Sequence, residues 1–310
     1  MKTFSINSNS NFNVKSMNLA IGNFDGVHVG HQKIINKLVN LSKNSNSKSA
    51  ILSFTPHPRE YFSGDKDNFK LIEENTKINL LTKYKVDYYI SYKFNKSLSK
   101  LYPQVFIEEI LYKQLNIKSI IVGYDFRFGK DRKGNIDLLK QLSKKFNYKV
   151  LVINQIKNKK IDLVYSSSLI RQNIQEGNFQ NANLLLGRNW FIKGKIIHGD
   201  KRARKMNFPT ANIKPKNLIK PKHGVYAIRA ILENKTYKGI ANFGIRPTIK
   251  GDKLLLEAHL FNFNKEIYGK ELTVEFLTFI RGEKKFDNFS LLTNQIRKDI
   301  DLVREYHRKN

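Results

Sequence analysis

Apolar and polar positions alternate along the first half of the chain in blocks that fit strands and helices in turn. Leu19–Ile21 ends a short apolar strand, and Gly22–Gly30 forms a glycine-rich turn. From His31 to Ser42, apolar residues recur at the spacing of one helical face. The same rhythm predicts strands at Ala50–Phe54, Tyr88–Tyr92, Ser119–Val122 and Lys149–Ile153, and helices at Pro103–Leu115 and Ile136–Lys144. This alternation predicts an α/β domain with a parallel sheet, whose ligands bind beyond the carboxyl ends of the strands.

The rhythm changes after about residue 185, where Gly, Asn and Pro turns separate short strand-like runs. These runs are Trp190–His198, Gly224–Leu232, Lys235–Asn242, Leu254–Leu260 and Leu272–Phe279. Several strands in series predict an antiparallel β-barrel, and the amphipathic segment Asn288–Tyr306 predicts a C-terminal helix packed against it. We therefore expect two domains, residues 1–186 and 187–310, with the boundary near Gly187.

The composition fits two folded domains and narrows the class of protein. The chain has 310 residues, of which 40% are hydrophobic, enough for packed cores. It has no run of about 18 apolar residues, and the Asn- and Ser-rich segment Met1–Ser16 lacks the apolar region of a secretory signal. The absence of Cys rules out disulfides and thiolate metal sites and is consistent with a reducing compartment. We expect a cytoplasmic protein that has no membrane partner.

The formal net charge of +30 has two interpretations. One is nucleic-acid binding, because Lys and Arg neutralise phosphates. The other is a surface coated with Lys. Basic residues are spread along the whole chain without a long block, and Lys outnumbers Arg, the residue that base readout favours. We therefore favour the surface coat and expect no nucleic-acid partner, while the positive field attracts anionic substrates in either case.

The segment Gly22–His31 follows a strand and opens a helix, which makes it the first candidate site. It places His28 and His31 beside a helix N-terminus, where backbone N–H groups and the helix dipole attract anions. A glycine such as Gly30 lets the backbone approach a phosphate closely. The alternatives are half of a metal site, for which no second pair of ligands lies at metal spacing, and a turn with structural histidines. Neither explains the Gly-x-Phe-Asp-Gly prefix, and the chain has no Walker-type phosphate loop.

The same segment resembles the signature of the nucleotidylyltransferase superfamily and, in its extended form, that of bacterial FAD synthetase. Further segments resemble that family in the same order: Phe54–Glu60, Val122–Lys130, Arg132–Gly134 and Ser166–Arg171. The resemblance implies a Rossmann-like nucleotidyltransferase domain that adenylylates FMN with ATP, giving FAD and pyrophosphate. Ser168 stands where the family usually has Thr, and Leu169 where a polar or basic residue is common. Since Ser168 keeps the hydroxyl, we expect activity to survive.

The resemblance also implies roles for individual residues of this domain. His28 and His31 bind the ATP phosphates and stabilise the transition state, and Asp25 helps to place the nucleotide and its metal ion. Hydroxyls at a helix start, together with Arg, suit an anion clamp. ATP or phosphate contacts are implied for Gly22, Asn23, Phe24, Asp25, Gly30, Ser167, Ser168 and Arg171. Flavin or adenine contacts are implied for Asp125, Phe126 and Arg127.

A second candidate site begins at Phe208–Asn212, after the basic, glycine-containing loop Gly194–Lys205. The Thr210 hydroxyl and the Asn212 amide oxygen are hard ligands that suit Mg²⁺ bound to ATP, although a simple turn after Pro209 is an alternative. The segment resembles the Pro-Thr-Ala-Asn signature of riboflavin kinases. Other features of that family follow in order: Gly224–Tyr226, Asn242–Gly244, Arg246–Thr248, Glu257–Phe261, Tyr268–Lys270 and Ile280–Phe286.

The resemblance implies that this second domain phosphorylates riboflavin with ATP to give FMN. Glu257 is then the general base that takes the proton of the ribityl hydroxyl. Taken alone, Glu257 fits a solvent-facing strand position equally well. Phosphate contacts are implied for Gly199 and Lys201, and a flavin contact for Arg281.

Two departures bear on the kinase half: Ala203 and Asn207 stand where the family usually has Gly. Asn tolerates a positive φ better than Ala does, so Ala203 is the change that would weaken the kinase. One alternative is therefore that the adenylyltransferase half alone is active. Another is a basic nucleic-acid-binding module on a nucleotidyltransferase-like fold, which predicts a clustered Arg-aromatic face that the sequence lacks. We expect a bifunctional riboflavin kinase/FAD synthetase with Mg²⁺ as cofactor, ATP as co-substrate, and FMN and FAD as products.

Overall fold

The computed structural model describes residues 1–12, 14, 16–64, 68–158, 162–198, 208–246 and 253–310. The chain divides into two compact units. The first contains residues 1–66 and 72–167, and the second contains residues 67–71 and 168–310. The segment between residue 168 and Gly187 groups with the second unit, while the functional boundary near Gly187 stays a prediction.

The first unit is built on a six-stranded sheet in which every strand pairs parallel to its neighbours. The strands are β1 (Lys2–Ile6), β2 (Met17–Ile21), β3 (Lys48–Thr55), β4 (Tyr88–Lys93), β5 (Ile117–Gly123) and β6 (Lys149–Ile153). Their order across the sheet is β1-β4-β3-β2-β5-β6. The parallel sheet expected from the sequence is confirmed. The edge strand β1 was not predicted, because its short run of alternating polar residues lies in an Asn- and Ser-rich terminus.

Both faces of this sheet are covered, which explains why its strands read as continuous apolar runs. Successive side chains of a strand point to opposite faces. Leu19 and Ile120 accordingly lie in one core layer, and Ala20 and Ile121 lie in the other. All four are completely buried.

Helices and one short ribbon complete the first unit. The helices are α1 (Val29–Asn44), α2 (Pro58–Ser63), α3 (Glu74–Thr82), α4 (Lys96–Ser99), α5 (Pro103–Val105) and α6 (Ile136–Phe146). A π-helical stretch, Phe106–Gln114, continues α5, and a 3₁₀ turn lies at Lys130–Arg132. The two-stranded ribbon pairs β7 (Lys157–Asn158) with β8 (Leu163–Val164). α6 shows why such segments begin and end where they do: Asn135 caps its first turn, and Asn147 ends it in the left-handed conformation.

The second unit contains a closed barrel of six strands, all antiparallel to their neighbours. They are β9 (Phe191–Ile197), β10 (Ala211–Ile213), β11 (Gly224–Leu232), β12 (Lys235–Arg246), β13 (Lys253–Leu260) and β14 (Glu271–Arg281). The order around the barrel is β10-β13-β12-β11-β14-β9. The predicted barrel is confirmed. Strand β10 was not predicted, because three residues carry too little periodicity to stand out.

Helices α7 (Ser167–Glu176), α8 (Phe179–Leu186) and α9 (Phe289–Lys309) accompany the barrel. α8 packs through Phe179, whose ring stacks on Phe276 at a centroid distance of 5.1 Å and meets Tyr226 edge-on. α9 packs against β11, β12 and β14, as expected for the C-terminal helix. Among the described residues, no helix is long and apolar enough to cross a membrane.

Candidate active sites

The loop Gly22–His28, called here the histidine loop, joins the interior strand β2 to helix α1 at the carboxyl end of the sheet, and His31 lies in the first turn of α1. Three of its residues have positive φ: Phe24 at 49°, Gly26 at 85° and Val27 at 41°. A β-branched residue such as Val27 rarely adopts this left-handed conformation, so the loop is strained. Strain of this kind persists where surrounding contacts enforce it, and it is concentrated at functional sites.

His28 and His31 form a stacked pair at the start of α1. Their rings are stacked, with centroids 3.6 Å apart and planes inclined by 20°. The Nδ1 atom of His28 accepts the backbone N–H of His31 at 3.3 Å, so the neutral ring carries its proton on Nε2, where it can donate to an anion. Gly30 makes the arrangement possible, because a Cβ there would lie 3.0 Å from Cε1 of His28 and 3.1 Å from Cβ of Tyr165.

The backbone of this loop is held by hydrogen bonds to several of its carbonyl groups. The Val27 N–H donates to the Phe24 carbonyl at 3.0 Å, and the Gln32 amide donates to the Val27 carbonyl at 2.9 Å. The Ser167 hydroxyl donates to the carbonyl of Asp25 at 2.9 Å. The structure therefore brings Ser167 to the histidine loop, although the two are far apart in the sequence.

The flavin candidates Asp125, Phe126 and Arg127 follow strand β5, at the same edge of the sheet. Asp125 and Arg127 are exposed and Phe126 is half-buried. The ring of Phe126 stacks on Phe128, with centroids 5.5 Å apart and planes inclined by 17°. These residues are available to a ligand from solvent.

A series of aromatic rings, called here the aromatic series, runs along this edge after β3, β4 and β5. Successive centroids are 5.2 to 6.5 Å apart. In order, its members are Phe62, Tyr61, Phe94, Phe54, Phe106, Phe128 and Phe126. The Phe62 end is 68% exposed, so the series reaches solvent there. Phe106 and Phe128, in the middle of the series, are buried in the core, so the rings that a flat ligand can reach are those toward its ends, Phe62 and Phe126.

Ser168 and Arg171, the other predicted phosphate ligands, belong to the second unit. Ser168 is exposed. The Nε atom of Arg171 donates to the carbonyl of Phe69 at 2.6 Å, and its guanidinium lies 5.4 Å from the centre of the Phe69 ring. Their assignment to phosphate binding stays a prediction.

A cavity of about 240 Å³ lies between the barrel strands and helix α9, and Thr210, Glu257 and Arg281 of the second set of candidate residues line it. Strand register aligns Asn212 opposite Glu257, Glu257 opposite Asn242, Asn242 opposite Val225, and Val225 opposite Arg281. Directly opposed residues of antiparallel strands point to the same face, so these five form one row across the barrel. Glu257 is only 6% exposed and lines the cavity, which excludes the solvent-facing alternative.

The predicted metal ligands lie at one end of this row. Thr210 lines the cavity, and the amide nitrogen of Asn212 donates to the Thr210 carbonyl at 3.4 Å. That bond engages the amide nitrogen of Asn212, and the amide oxygen is the acceptor of the same side chain. Two hard oxygen donors beside the carboxylate of Glu257 fit Mg²⁺. Within the described parts of the chain, no cluster of three or more His, Asp or Glu side chains offers an alternative metal site.

His259 ties the metal-ligand segment to the strand that carries Glu257. It also lines the cavity, and its Nδ1 atom lies 2.9 Å from the Pro209 carbonyl oxygen. Because a carbonyl accepts, Nδ1 carries the proton. Burial lowers the pKa of His259, which keeps the ring neutral near pH 7. The bond fixes Pro209, and with it the neighbouring Thr210, against β13.

Arg281 is held by a carboxylate of helix α9. Its Nε lies 2.9 and 3.0 Å from the two carboxylate oxygens of Asp299, and its Nη2 lies 2.6 Å from Oδ2. Nη1 donates to the Gly282 carbonyl at 2.8 Å. The ion pair anchors α9 to β14, so that Leu292 and Ile300 of the helix form a wall of the cavity. The flavin contact expected of Arg281 stays a prediction.

Some candidates lie outside the described residues: Gly199, Lys201, Ala203 and Asn207. The sequence reasoning missed other residues in contact with the two sites: Lys77, whose ammonium donates to the Asn23 carbonyl, and Asn242, His259 and Asp299, which line the cavity. Asn242 and His259 lie in segments that had been noted for their resemblance, so a signal existed for both. Lys77 and Asp299 each lie in a helix among other charged residues, and nothing local marks them.

The fold and these sites define a nucleotide-binding α/β transferase unit joined in one chain to a barrel with a buried carboxylate. Residues 11–168 match the family model of FAD synthetase, and residues 186–307 match that of riboflavin kinase. Curated relatives named bifunctional riboflavin kinase/FMN adenylyltransferase match nearly the whole chain. The relative from Buchnera aphidicola subsp. Schizaphis graminum is 41% identical over 95% of this chain and 96% of its own length. The relative from Haemophilus influenzae is 39% identical over 96% of this chain and 96% of its own length. The relative from Bacillus subtilis is 37% identical over 91% of this chain and 89% of its own length.

This chain belongs to the bifunctional riboflavin kinase/FMN adenylyltransferase family. A solved structure is also similar to this chain over nearly the whole length of both. That crystal structure, described as a macrolide-efflux protein from Streptococcus pneumoniae, has a TM-score of 0.85 and 26% identity. The match covers 97% of this chain and 98% of the other.

Proposed function

We propose that this protein converts riboflavin to FAD in two ATP-dependent steps, one in each unit. The barrel phosphorylates riboflavin to FMN, and the α/β unit transfers AMP from a second ATP to FMN, releasing pyrophosphate. The observation that carries this proposal is the pair of family matches, one of which covers His28 and His31 and the other Glu257.

Adenylyl transfer takes place at the histidine loop. A phosphate oxygen of FMN attacks the α-phosphorus of ATP, and the bond to pyrophosphate breaks. Negative charge builds on the transferred group and on the leaving pyrophosphate, so fixed N–H donors lower the barrier. His28 and His31 supply such donors at the positive end of α1. Gly22, Asn23, Phe24 and Gly30 bring the backbone to the phosphates, and Asp25 helps to place the nucleotide.

The flavin of FMN binds at the Phe126 end of the aromatic series. A flat isoalloxazine ring gains dispersion and stacking energy against aromatic faces. Phe126 offers a half-buried ring at one end of the series, and the exposed Asp125 and Arg127 flank it with hydrogen-bonding groups. Phe62 offers an exposed ring at the other end.

Phosphoryl transfer takes place in the barrel cavity. The ribityl hydroxyl of riboflavin attacks the γ-phosphorus of ATP, ADP leaves, and Glu257 takes the hydroxyl proton. Thr210 and Asn212 would hold the Mg²⁺ that accompanies ATP, and the ion would supply charge neutralisation at the reacting centre. The row across the barrel supports these roles, because it sets Glu257 between Asn212 and Asn242. Arg281, at the other end of the row, contacts the flavin of riboflavin.

The cytoplasmic location of the protein stays a prediction.

Product analysis tests the two reactions separately. The purified protein is incubated with Mg²⁺ and ATP plus either riboflavin or FMN, and the flavins are separated by chromatography. Riboflavin should give FMN followed by FAD, and FMN should give FAD directly. Chelation of Mg²⁺ should stop both reactions. FAD from FMN without FMN from riboflavin would restrict the activity to adenylyl transfer, and the absence of any product would refute the proposal.

A further inference from the structure

Lys77, on helix α3, is a buried cation in the α/β unit. It is only 6% exposed. Its ammonium donates to the Asn23 carbonyl at 3.1 Å and to the Ser53 hydroxyl at 3.1 Å, and it lies 2.9 Å from Oε2 of Glu74. A lysine ammonium has three N–H donors, so this set of acceptors uses all of them. Lys77 therefore joins α3 to strand β3 and to the histidine loop.

The rest of this cluster keeps Lys77 in place. The hydroxyl of Tyr89, on β4, donates to the second carboxylate oxygen of Glu74. Burial, followed by the charge of Glu74, raises the pKa of Tyr89, so the phenol remains a donor. The Lys77 ammonium also lies 5.6 Å from the centre of the Tyr89 ring. A buried charge is tolerated only when it is paired in this way.

The contact with Asn23 is the one that bears on catalysis. Asn23 precedes Phe24, the first of the positive-φ residues in the histidine loop. The carbonyls of Phe24, Asp25 and Val27 are each held by a neutral donor, as described above. Lys77 holds the Asn23 carbonyl with the one charged donor among these contacts, and hydrogen bonds to charged groups are roughly twice as strong as neutral ones.

We propose that Lys77 is a positioning residue for adenylyl transfer. Since its N–H groups are committed to protein acceptors, it does not bind the phosphates itself. By holding the Asn23 carbonyl it keeps the strained loop in the conformation that presents His28 and His31. The inference rests on the proposed adenylyltransferase function of this unit.

The test is the Lys77→Met variant, which keeps the length of the side chain and removes its donors. A displacement of about 1 Å at a reacting centre can cost 10²-fold in rate, so we expect kcat for FAD formation from FMN to fall by about 10²-fold. The KM for ATP should change by less than about threefold, because the Michaelis complex still forms. FMN formation from riboflavin by the same preparation should be unchanged.

Matched variants separate positioning from bulk stability. Lys83→Met removes a lysine charge at the exposed C-terminal end of the same helix and should leave both activities unchanged. Tyr89→Phe disturbs the same buried cluster without touching the Asn23 contact, so its rate should stay within about threefold of the parent even if its thermal midpoint falls. If Lys77→Met does not fold, Lys77→Gln, which retains a neutral N–H donor, should show about a tenfold loss of kcat.

Each outcome bears on a different claim. Full adenylyl transfer by Lys77→Met, or equal losses in Lys77→Met and Tyr89→Phe that follow their thermal midpoints, would overturn the positioning role. Failure of the unmodified protein to make FAD from FMN would overturn the proposed function instead. A selective loss of kcat in Lys77→Met supports the inference.

Discussion

Replacing Glu257 with Gln should stop riboflavin phosphorylation while leaving adenylyl transfer intact. Gln has the same shape and nearly the same volume as Glu, so the row across the barrel keeps its packing. The change removes the carboxylate that can accept a proton in the cavity next to Asn212 and Asn242. At 6% exposure the side chain is shielded from water, which limits bulk solvent as a substitute base.

The size of the effect follows from the role. A positioned general base contributes roughly 10²- to 10⁴-fold to the rate. At about 1.4 kcal/mol for each factor of ten, this corresponds to roughly 3 to 5 kcal/mol of transition-state stabilisation. The KM for riboflavin should change much less, because Gln retains hydrogen-bonding groups of the same length.

The assay follows FMN formation from riboflavin and, in a separate incubation, FAD formation from FMN. Glu275→Gln is the matched control, because Glu275 lies on strand β14, has a side chain only 14% exposed, and pairs with Arg229 at 2.7 Å. It should retain kinase activity. FMN formation by Glu257→Gln at more than about a tenth of the parent rate would refute the general-base role. Equal loss of both activities would show that the change acts through folding.

Further predictions concern the histidines. His31→Ala should abolish FAD formation while FMN still accumulates from riboflavin, as measured by chromatography of the flavins. Loss of both steps would show that the two sites are not separate. His259→Phe keeps a ring but removes the bond to the Pro209 carbonyl, so FMN formation should slow about tenfold and need more Mg²⁺; an unchanged Mg²⁺ titration would contradict this. Burial also lowers the pKa of His307 in the second unit, so the unfolded chain binds more protons below about pH 6.5. The contribution of His307 to the free energy of unfolding should therefore be fully present above about pH 6.5. It should decline as the pH falls, by at most about 1.4 kcal/mol per pH unit. Denaturant melts from pH 7.5 to 5.5 should show a shallower decline for His307→Gln than for the parent, and equal slopes would contradict the assignment.

The sequence allowed most of the fold to be predicted, for reasons that are local. Buried parallel strands leave continuous apolar runs, and the stripe on the C-terminal segment marks the side that α9 turns toward the barrel. Two short strands were not predicted, because the three residues of β10 and the alternating polar residues of β1 give too weak a pattern. Helix α8 was not predicted either, since its Phe179 packs against barrel residues about a hundred positions later in the chain, whereas the start of α7 was expected at Ser166–Arg171.

What the sequence determined by itself was the chemistry held within single segments. Gly30 between two histidines at a helix start specifies the stacked pair, because the spacing and the missing Cβ are properties of one turn. The tertiary structure alone decided which distant residues meet. Strand register brought Asn212, Glu257 and Asn242 into one row, and a contact across 54 positions joined Lys77 to Asn23. Such pairings depend on how whole elements pack. The free energy of packing is distributed over the core, so no single segment of the sequence determines it.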